Sequence, residues 1–143
     1  MRTLNPDEMR AWLRTEQTPA AQIENIVDAF DFGAPVYETT LESGQELFQY
    51  LRKPSSSAPW PKVGNWFCLP GATRDGLAII GGGSGRVLQR HVVALELQAV
   101  EGSARAQPVD WGWDGGGAGG ATQIYVPPRL LGRISSSGPH EPW

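Results

Sequence analysis

The stretch of sequence that decides the fold is GGATQIYVP, residues 119–127. Its two leading glycines favour a loop, because glycine lacks a Cβ and adopts backbone conformations that other residues avoid. Thr122–Val126 is rich in β-branched and aromatic residues and is followed by prolines, which predicts a strand that ends at Pro127. Gln123 lies at the mouth of this strand, where its amide offers both a hydrogen-bond donor and an acceptor. A glycine loop therefore runs into a strand that carries a polar group.

Further strands are predicted upstream of this stretch. Glu46–Arg52 alternates between apolar and polar residues, and Asn65–Leu69 is a short apolar strand that Pro70-Gly71 stops. Arg86–Val100 is the longest run with strand character, and we expect it to form one long strand. Leu41–Gln45 has the composition of a turn.

The beginning of the chain has helical signals instead. Asn5 can cap a helix, Pro6 suits the first helical position, and Glu8 completes a capping box. Thr18-Pro19 repeats the start signal, and we expect the second helix to end at residues 31–33 with a glycine cap. Residues 1–33 are thus predicted to be a helical segment, which we interpret as a lid over the core.

The order of helices before strands predicts an α+β fold with a mostly antiparallel sheet. A length of 143 residues fits one domain with one core. Within residues 1–143, we assign residues 1–33 to the helical segment, 41–128 to the β core and 129–143 to a tail, which we expect to be loosely held from Ser135 onward.

Composition excludes several function classes. A net charge of −3 and ten scattered arginines argue against a nucleic-acid binder, which needs a concentrated basic surface. No apolar run of about 18 residues is present, so we expect no membrane segment. No signal peptide is visible, and we expect action in a cytosol or a chain that is part of a larger secreted protein. Cys68 is the single cysteine and is expected to be a buried, inert thiol.

The usual glycine-loop motifs fail when they are tested. No lysine stands in a glycine loop, which excludes a P-loop. Residues 81–86 (GGGSGR) lack the last glycine of both the dinucleotide fingerprint and the serine-hydrolase elbow. His91 and His140 are far apart in the sequence, so no metal-ligand spacing appears, and we expect no metal.

Three stretches carry a family resemblance: residues 64–73 (GNWFCLPGAT), Arg86–Ala99, and residues 115–126 (GGGAGGATQIYV). Together they resemble the C-terminal domains of bacterial polymorphic toxins, and most of all the type 46 group. They are also similar to NAD-hydrolysing toxins such as tuberculosis necrotizing toxin and type VI secretion NAD glycohydrolase effectors. The resemblance spans roughly residues 41–128. It implies an ADP-ribosyltransferase-like fold, in which a split, mostly antiparallel sheet clasps NAD, and cleavage of the nicotinamide–ribose bond.

The resemblance implies catalytic roles for three residues. Gln123 matches the family's late-strand glutamine, which would hydrogen-bond the ribose hydroxyls; the alternative is an exposed strand residue. Asp110 or Asp114 would stabilise the cationic, oxocarbenium-like transition state; the alternative for each is a turn-forming aspartate.

The resemblance also implies a set of substrate-binding residues: Gln49 for the body of NAD, Arg52 and Arg86 for the pyrophosphate, Trp66 and Phe67 around nicotinamide, and Gly119 and Gly120 for close backbone approach. Each has an alternative. Gln49 would be an ordinary outward strand residue, the arginines solvated strand-end residues, and the two aromatic residues parts of the core. Trp111 and Trp113 offer further stacking faces beside the glycine loop.

The sequence departs from the family pattern at two positions, and this departure bears on which acceptor the reaction uses. Transferases of this fold carry a Glu at the late-strand position and a Gln or Glu two residues earlier, where this chain has Gln123 and Ala121. A neutral amide cannot act as a general base on an acceptor, which favours water and therefore NAD(P)+ glycohydrolase activity. The alternatives are an ADP-ribosyltransferase toxin that modifies a protein or RNA, and a non-enzymatic β-rich binding module.

The partners follow from the same resemblance. We expect NAD(P)+ as the substrate with no further cofactor, and a cognate immunity protein that protects the producing cell. We expect the chain to be a fragment of a secreted effector that acts in the cytoplasm of a competing bacterial target cell.

Overall fold

The computed structural model describes residues 2–52, 64–77, 86–106, 117–136 and 141–142. The elements in chain order are β1 (Arg2–Thr3), α1 (Pro6–Thr15), α2 (Ala20–Asp28), β2 (Tyr37–Leu41), β3 (Glu46–Arg52), β4 (Trp66–Cys68), β5 (Arg86–Val93), β6 (Leu97–Ser103), β7 (Thr122–Tyr125), a 3-10 helix (Pro128–Arg133), β8 (Ile134–Ser136) and β9 (Glu141–Pro142). The expected α+β architecture is confirmed.

Helix α1 begins as the sequence predicts. The backbone N–H of Glu8 donates to Asn5 Oδ1 over 2.8 Å, and the backbone N–H of Asn5 donates to Glu8 Oε1 over 3.0 Å. The predicted end of the second helix is wrong. Helix α2 ends at Asp28, and its cap Ala29 has right-handed helical dihedrals. No glycine cap is needed there, because the chain turns directly into an isolated bridge between Phe30 and Ala104.

All strand pairings among the described residues are antiparallel. The order is β1-β2-β6-β7-β4-β3-β5-β8, and β9 also pairs with β5. The short strand β4 joins two halves of the sheet. It pairs with β7 through three residues but with β3 only through Phe48 and Cys68. The sheet is therefore held together at its middle by a narrow junction.

Two strand predictions need correction. The run Arg86–Val100 forms two strands, β5 and β6, which lie in different halves of the sheet and are separated by residues 94–96. No glycine or proline marks this break, so the periodicity alone did not reveal it. Part of the tail is not loose: Ile134–Ser136 and Glu141–Pro142 both pair with β5. Strand β2 was not predicted, and Arg2–Thr3, which was assigned to the helical segment, forms strand β1 against it.

Two apolar clusters form the core. The helices cover the first half of the sheet, where Met9, Leu13, Ile26 and Phe30 pack with Tyr125 in one cluster. The second cluster takes residues from both halves of the sheet: Leu41, Leu97, Ala99 and Ile124 come from the first half, and Leu47 and Val93 come from the second. Burying apolar surface on both sides of β7 fixes the strand that carries Gln123.

The helices of the described part of the chain have ten and nine residues, and neither has the length and apolar character to cross a membrane.

Candidate functional site

Two of the stretches that carry the family resemblance meet at the junction of the sheet. Strand β4 lies antiparallel to β7, with Trp66 opposite Tyr125, Phe67 opposite Ile124 and Cys68 opposite Gln123. About fifty residues of sequence separate these stretches, yet they form one continuous piece of sheet. The candidate site is therefore centred on the ends of β4 and β7 and on the loops beside them.

The loop that precedes β7 is held by hydrogen bonds to the loop that follows β4. Asp75 accepts two hydrogen bonds, one at Oδ1 from the backbone N–H of Ala118 and one at its carbonyl oxygen from Gly119, both over 3.0 Å. Gly76 accepts from the backbone N–H of Ala121 over 2.9 Å. On the other side, Ala104 accepts from Gly120 over 2.8 Å. The glycine loop is thus fixed between two other segments.

Gly119 approaches the chain itself closely. Its φ is +75°, and a Cβ at this position would lie 2.5 Å from the carbonyl oxygen of Ala104 and 2.7 Å from the nitrogen of Ala106. Gly120 also has a positive φ, of +93°, but a Cβ there would meet nothing within 4 Å among the described atoms. At Gly119 the close approach is therefore to the chain at the end of β6. At Gly120 a side chain would have open space around it among the described residues.

Gln123 is buried, with 7% of its surface exposed, so the alternative of an exposed strand residue is wrong. Its side-chain Nε2 donates to the carbonyl oxygen of Ala29 over 2.8 Å. The same carbonyl oxygen accepts from the backbone N–H of Arg105 over 2.9 Å. The end of helix α2 therefore fixes the orientation of the Gln123 amide.

Gln49 is buried as well, with 4% of its surface exposed, and is not an outward strand residue. Its Nε2 donates to the carbonyl oxygens of Gly64 and Trp66, each over 2.9 Å. Within the described residues no donor reaches Gln49 Oε1, which is also buried. Gln49 thus connects β3 to the beginning of β4, where one residue pair joins these strands among the residues that the structure describes.

The two aromatic residues of β4 lie in different environments. Phe67 is 2% exposed, belongs to the second core cluster and meets the His91 ring edge-on with centroids 5.2 Å apart. Trp66 is half-buried and packs against Phe30 and Tyr125, with ring centroids 5.4 Å and 5.0 Å apart. Trp66 therefore keeps exposed surface that a ligand could contact. Phe67 lies in the core, which is the alternative that the sequence offered for it.

The remaining predicted residues fall at the edge of the described chain. Arg52 and Arg86 are register partners at the ends of β3 and β5. Asp110 and Asp114, together with Trp111 and Trp113, lie outside the described residues.

Two groups at the candidate site were not predicted from the sequence. One is Asp75, whose oxygens hold the glycine loop. The turn signal Asp75-Gly76 could have indicated its place but not its partner. The other is the backbone carbonyl of Ala29, which holds Gln123 and has no sequence signal because any residue carries such a group.

Cys68 lies directly opposite Gln123 in the sheet but is buried. Desolvation raises the pKa of its thiol to about 12, so the group is protonated at neutral pH and is not a nucleophile. Across the described ranges, no three His, Cys, Asp or Glu side chains come together in a way that could hold a metal ion.

No model of a protein family matches this chain, and no curated protein matches it by sequence. Solved structures with the same fold include the structure of Tse6 in complex with Tsi6, which is 20% identical with a TM-score of 0.71 over 92% of each chain. They also include Rhs1-CT in complex with the cognate immunity protein RhsI1, which is 16% identical with a TM-score of 0.52 over 75% of this chain and 80% of that chain. At these identities the likeness shows a shared fold.

Proposed function

We propose that this chain is an NAD(P)+ glycohydrolase toxin that depletes NAD in a competing bacterial cell. The observation that carries the proposal is the pairing of β4 with β7, which places Cys68 opposite Gln123 and brings the loop after β4 against the glycine loop that precedes Gln123. Two of the three sequence stretches that resemble NAD-hydrolysing toxins thus lie side by side in the sheet, which supports the proposal of one site. The shared fold with Rhs1-CT, which binds a cognate immunity protein, supports a toxin role.

The proposed chemistry is cleavage of the bond between nicotinamide and C1′ of the ribose. The bonding electron pair leaves with nicotinamide, which departs neutral, and the ribose becomes an oxocarbenium-like cation. Water then adds to C1′ and loses a proton to solvent, which gives ADP-ribose. A protein accelerates such a step mainly by holding the ribose and by stabilising the developing positive charge.

Gln123 suits the first of these tasks. Its Nε2 is committed to Ala29, so Oε1 is the atom that would accept a hydrogen bond from a ribose hydroxyl. The hydrogen bond to Ala29 keeps the amide from rotating, which lowers the entropy lost on binding. Asp110 or Asp114 would supply the negative charge near the cation.

The fold proposal that accompanies this chemistry is an ADP-ribosyltransferase-like sheet. The narrow junction at β4 supports it, because a split sheet needs a place where its halves separate. NAD(P)+ would lie near this junction. An immunity protein of the producing cell is the proposed partner, and the cytoplasm of the target cell is the proposed place of action.

The direct test is incubation of the purified chain with NAD+ alone. We expect free ADP-ribose and nicotinamide in equal amounts, measured by liquid chromatography. Gln123→Ala should lose most of this activity. Gln98→Ala is the matched control, because Gln98 is a strand glutamine near the start of β6, away from Gln123, and its side chain accepts a hydrogen bond from Thr40 on the neighbouring strand β2.

Other outcomes would change the conclusion. Consumption of NAD+ only after a cell lysate is added would point to ADP-ribose transfer onto a macromolecule. A normal NAD pool in bacteria that are dying from expression of the chain would contradict the hydrolase proposal.

A further inference from the structure

The described residues 118–121 of the glycine loop do not offer their backbone N–H groups to a phosphate group. The N–H groups of Ala118, Gly119, Gly120 and Ala121 all donate to acceptors within the chain. Phosphate-binding loops work because several backbone N–H groups point freely at the ligand. A phosphorylated ligand at this loop therefore needs a side-chain cation.

Most arginines whose side chains are described are already engaged. Arg90 pairs with Glu46 over 2.9 Å on the face of β3 and β5. Arg129 pairs with Glu16, and Arg133 donates to the carbonyl oxygen of Glu96. The remaining engaged arginines are Arg2, paired with Glu38, Arg10, paired with Asp7 and Glu24, and Arg74, which also has a partner.

Arg105 differs from these residues. Its side chain is exposed, and it makes no ion pair within the part of the chain that the structure describes. Its backbone is fixed against the site. The Arg105 N–H donates to the same Ala29 carbonyl oxygen that holds Gln123, and the carbonyl carbon of Arg105 would lie 2.8 Å from a Cβ on Gly119. Within the described residues, Arg105 thus carries a guanidinium that has no ion pair, on backbone that lies close to Gly119 and shares an acceptor with Gln123.

We propose that Arg105 binds a phosphate group of the dinucleotide substrate. This inference rests on the proposed function. Guanidinium binds phosphate through two parallel charged hydrogen bonds, which suits a residue whose backbone is already ordered. The phosphate has two sources: the pyrophosphate, which NAD+ and NADP+ share, or the 2′-phosphate, which only NADP+ carries.

The test measures binding apart from turnover. ADP-ribose and its 2′-phosphorylated form are titrated by calorimetry into the full chain, into Arg105→Gln and into Arg105→Lys. Arg14→Gln is the matched control, because Arg14 is another exposed arginine but lies on helix α1. Thermal unfolding of each variant shows that it is folded.

We expect Arg105→Gln to weaken binding by about 10-fold or more, because a charged hydrogen bond to phosphate is lost. Arg105→Lys should recover part of this loss, and Arg14→Gln should bind as the unchanged chain does. Weakening of both ligands would assign Arg105 to the pyrophosphate. Weakening of the 2′-phosphorylated ligand alone would assign it to the 2′-phosphate and indicate a preference for NADP+.

Equal binding by the unchanged chain and by Arg105→Gln would overturn the assignment, whatever the turnover. Binding that depends on Arg105 in a chain that does not hydrolyse NAD+ or NADP+ would overturn the hydrolase proposal and leave the phosphate site standing. No binding of either ligand by the folded, unchanged chain would overturn the phosphate site.

Discussion

The side-chain Nε2 of Gln123 donates a hydrogen bond of 2.8 Å to the carbonyl oxygen of Ala29, the residue that caps helix α2. This bond links the strand that carries Gln123 to the N-terminal helices. The helices therefore do more than cover the core, because the end of α2 determines which atom of the amide remains for a ligand.

Gln123→Glu is expected to destabilise the folded chain at pH 7 by about 1–3 kcal/mol, because a buried carboxylate would face the Ala29 carbonyl oxygen without a donor. Burial raises the pKa of such a carboxyl above its unfolded value, so the loss should shrink as the pH falls and the carboxyl becomes a donor. Urea unfolding at pH 7 and pH 4.5 measures this. A stability loss that is independent of pH would contradict the observed orientation of the amide.

The two glycines at the head of β7 should respond differently to alanine. Gly120→Ala is expected to cost about 1–2 kcal/mol, since only its left-handed backbone is strained. Gly119→Ala should cost about 1–3 kcal/mol more, because its Cβ would overlap the backbone of residues 104–106. Equal losses of unfolding free energy in the two variants would show that the loop is not packed against β6.

Cys68 should be unreactive toward a disulfide reagent at pH 8 in the folded chain and fully reactive in denaturant. Because folding raises its pKa, its contribution to stability is complete below the unfolded value and is lost as the pH rises toward about 12. Cys68→Ala should show a smaller loss of stability between pH 8 and pH 10. Rapid labelling of the native chain would indicate that β4 opens readily.

The ion pair of Glu16 and Arg129 joins the end of α1 to the 3-10 helix, and the Glu16 side chain is only 11% exposed. Glu16→Gln is expected to lower the unfolding free energy by about 1 kcal/mol, because the mostly buried Glu16 carboxylate loses its charged hydrogen bond while Arg129, whose side chain is 47% exposed, can still be hydrated. Glu24→Gln, which removes the exposed partner of Arg10, should have a smaller effect that disappears in 1 M salt. The reverse order of the two effects would contradict the observed burial.

Capping groups and residue alternation act between neighbouring residues, and they predicted the elements that depend on them. The capping box of Asn5 and Glu8 begins α1 as expected, and the alternation in Glu46–Arg52 gives β3 its observed bounds. The same reasoning merged β5 and β6 into one strand. Both segments have strand periodicity, and only their pairing with different halves of the sheet separates them.

The sequence by itself determined that two helices precede most of an antiparallel sheet and that the glycine loop leads into the strand of Gln123. These features follow from capping groups, periodicity and glycine, which act over a few residues. The tertiary structure decided that Gln123 and Gln49 are buried and which carbonyl oxygens their amides reach. It also placed Arg105 beside the loop. Such placements depend on contacts between residues that are about fifteen to ninety positions apart in the sequence. Every residue has a backbone carbonyl acceptor, so the sequence does not indicate which one is used.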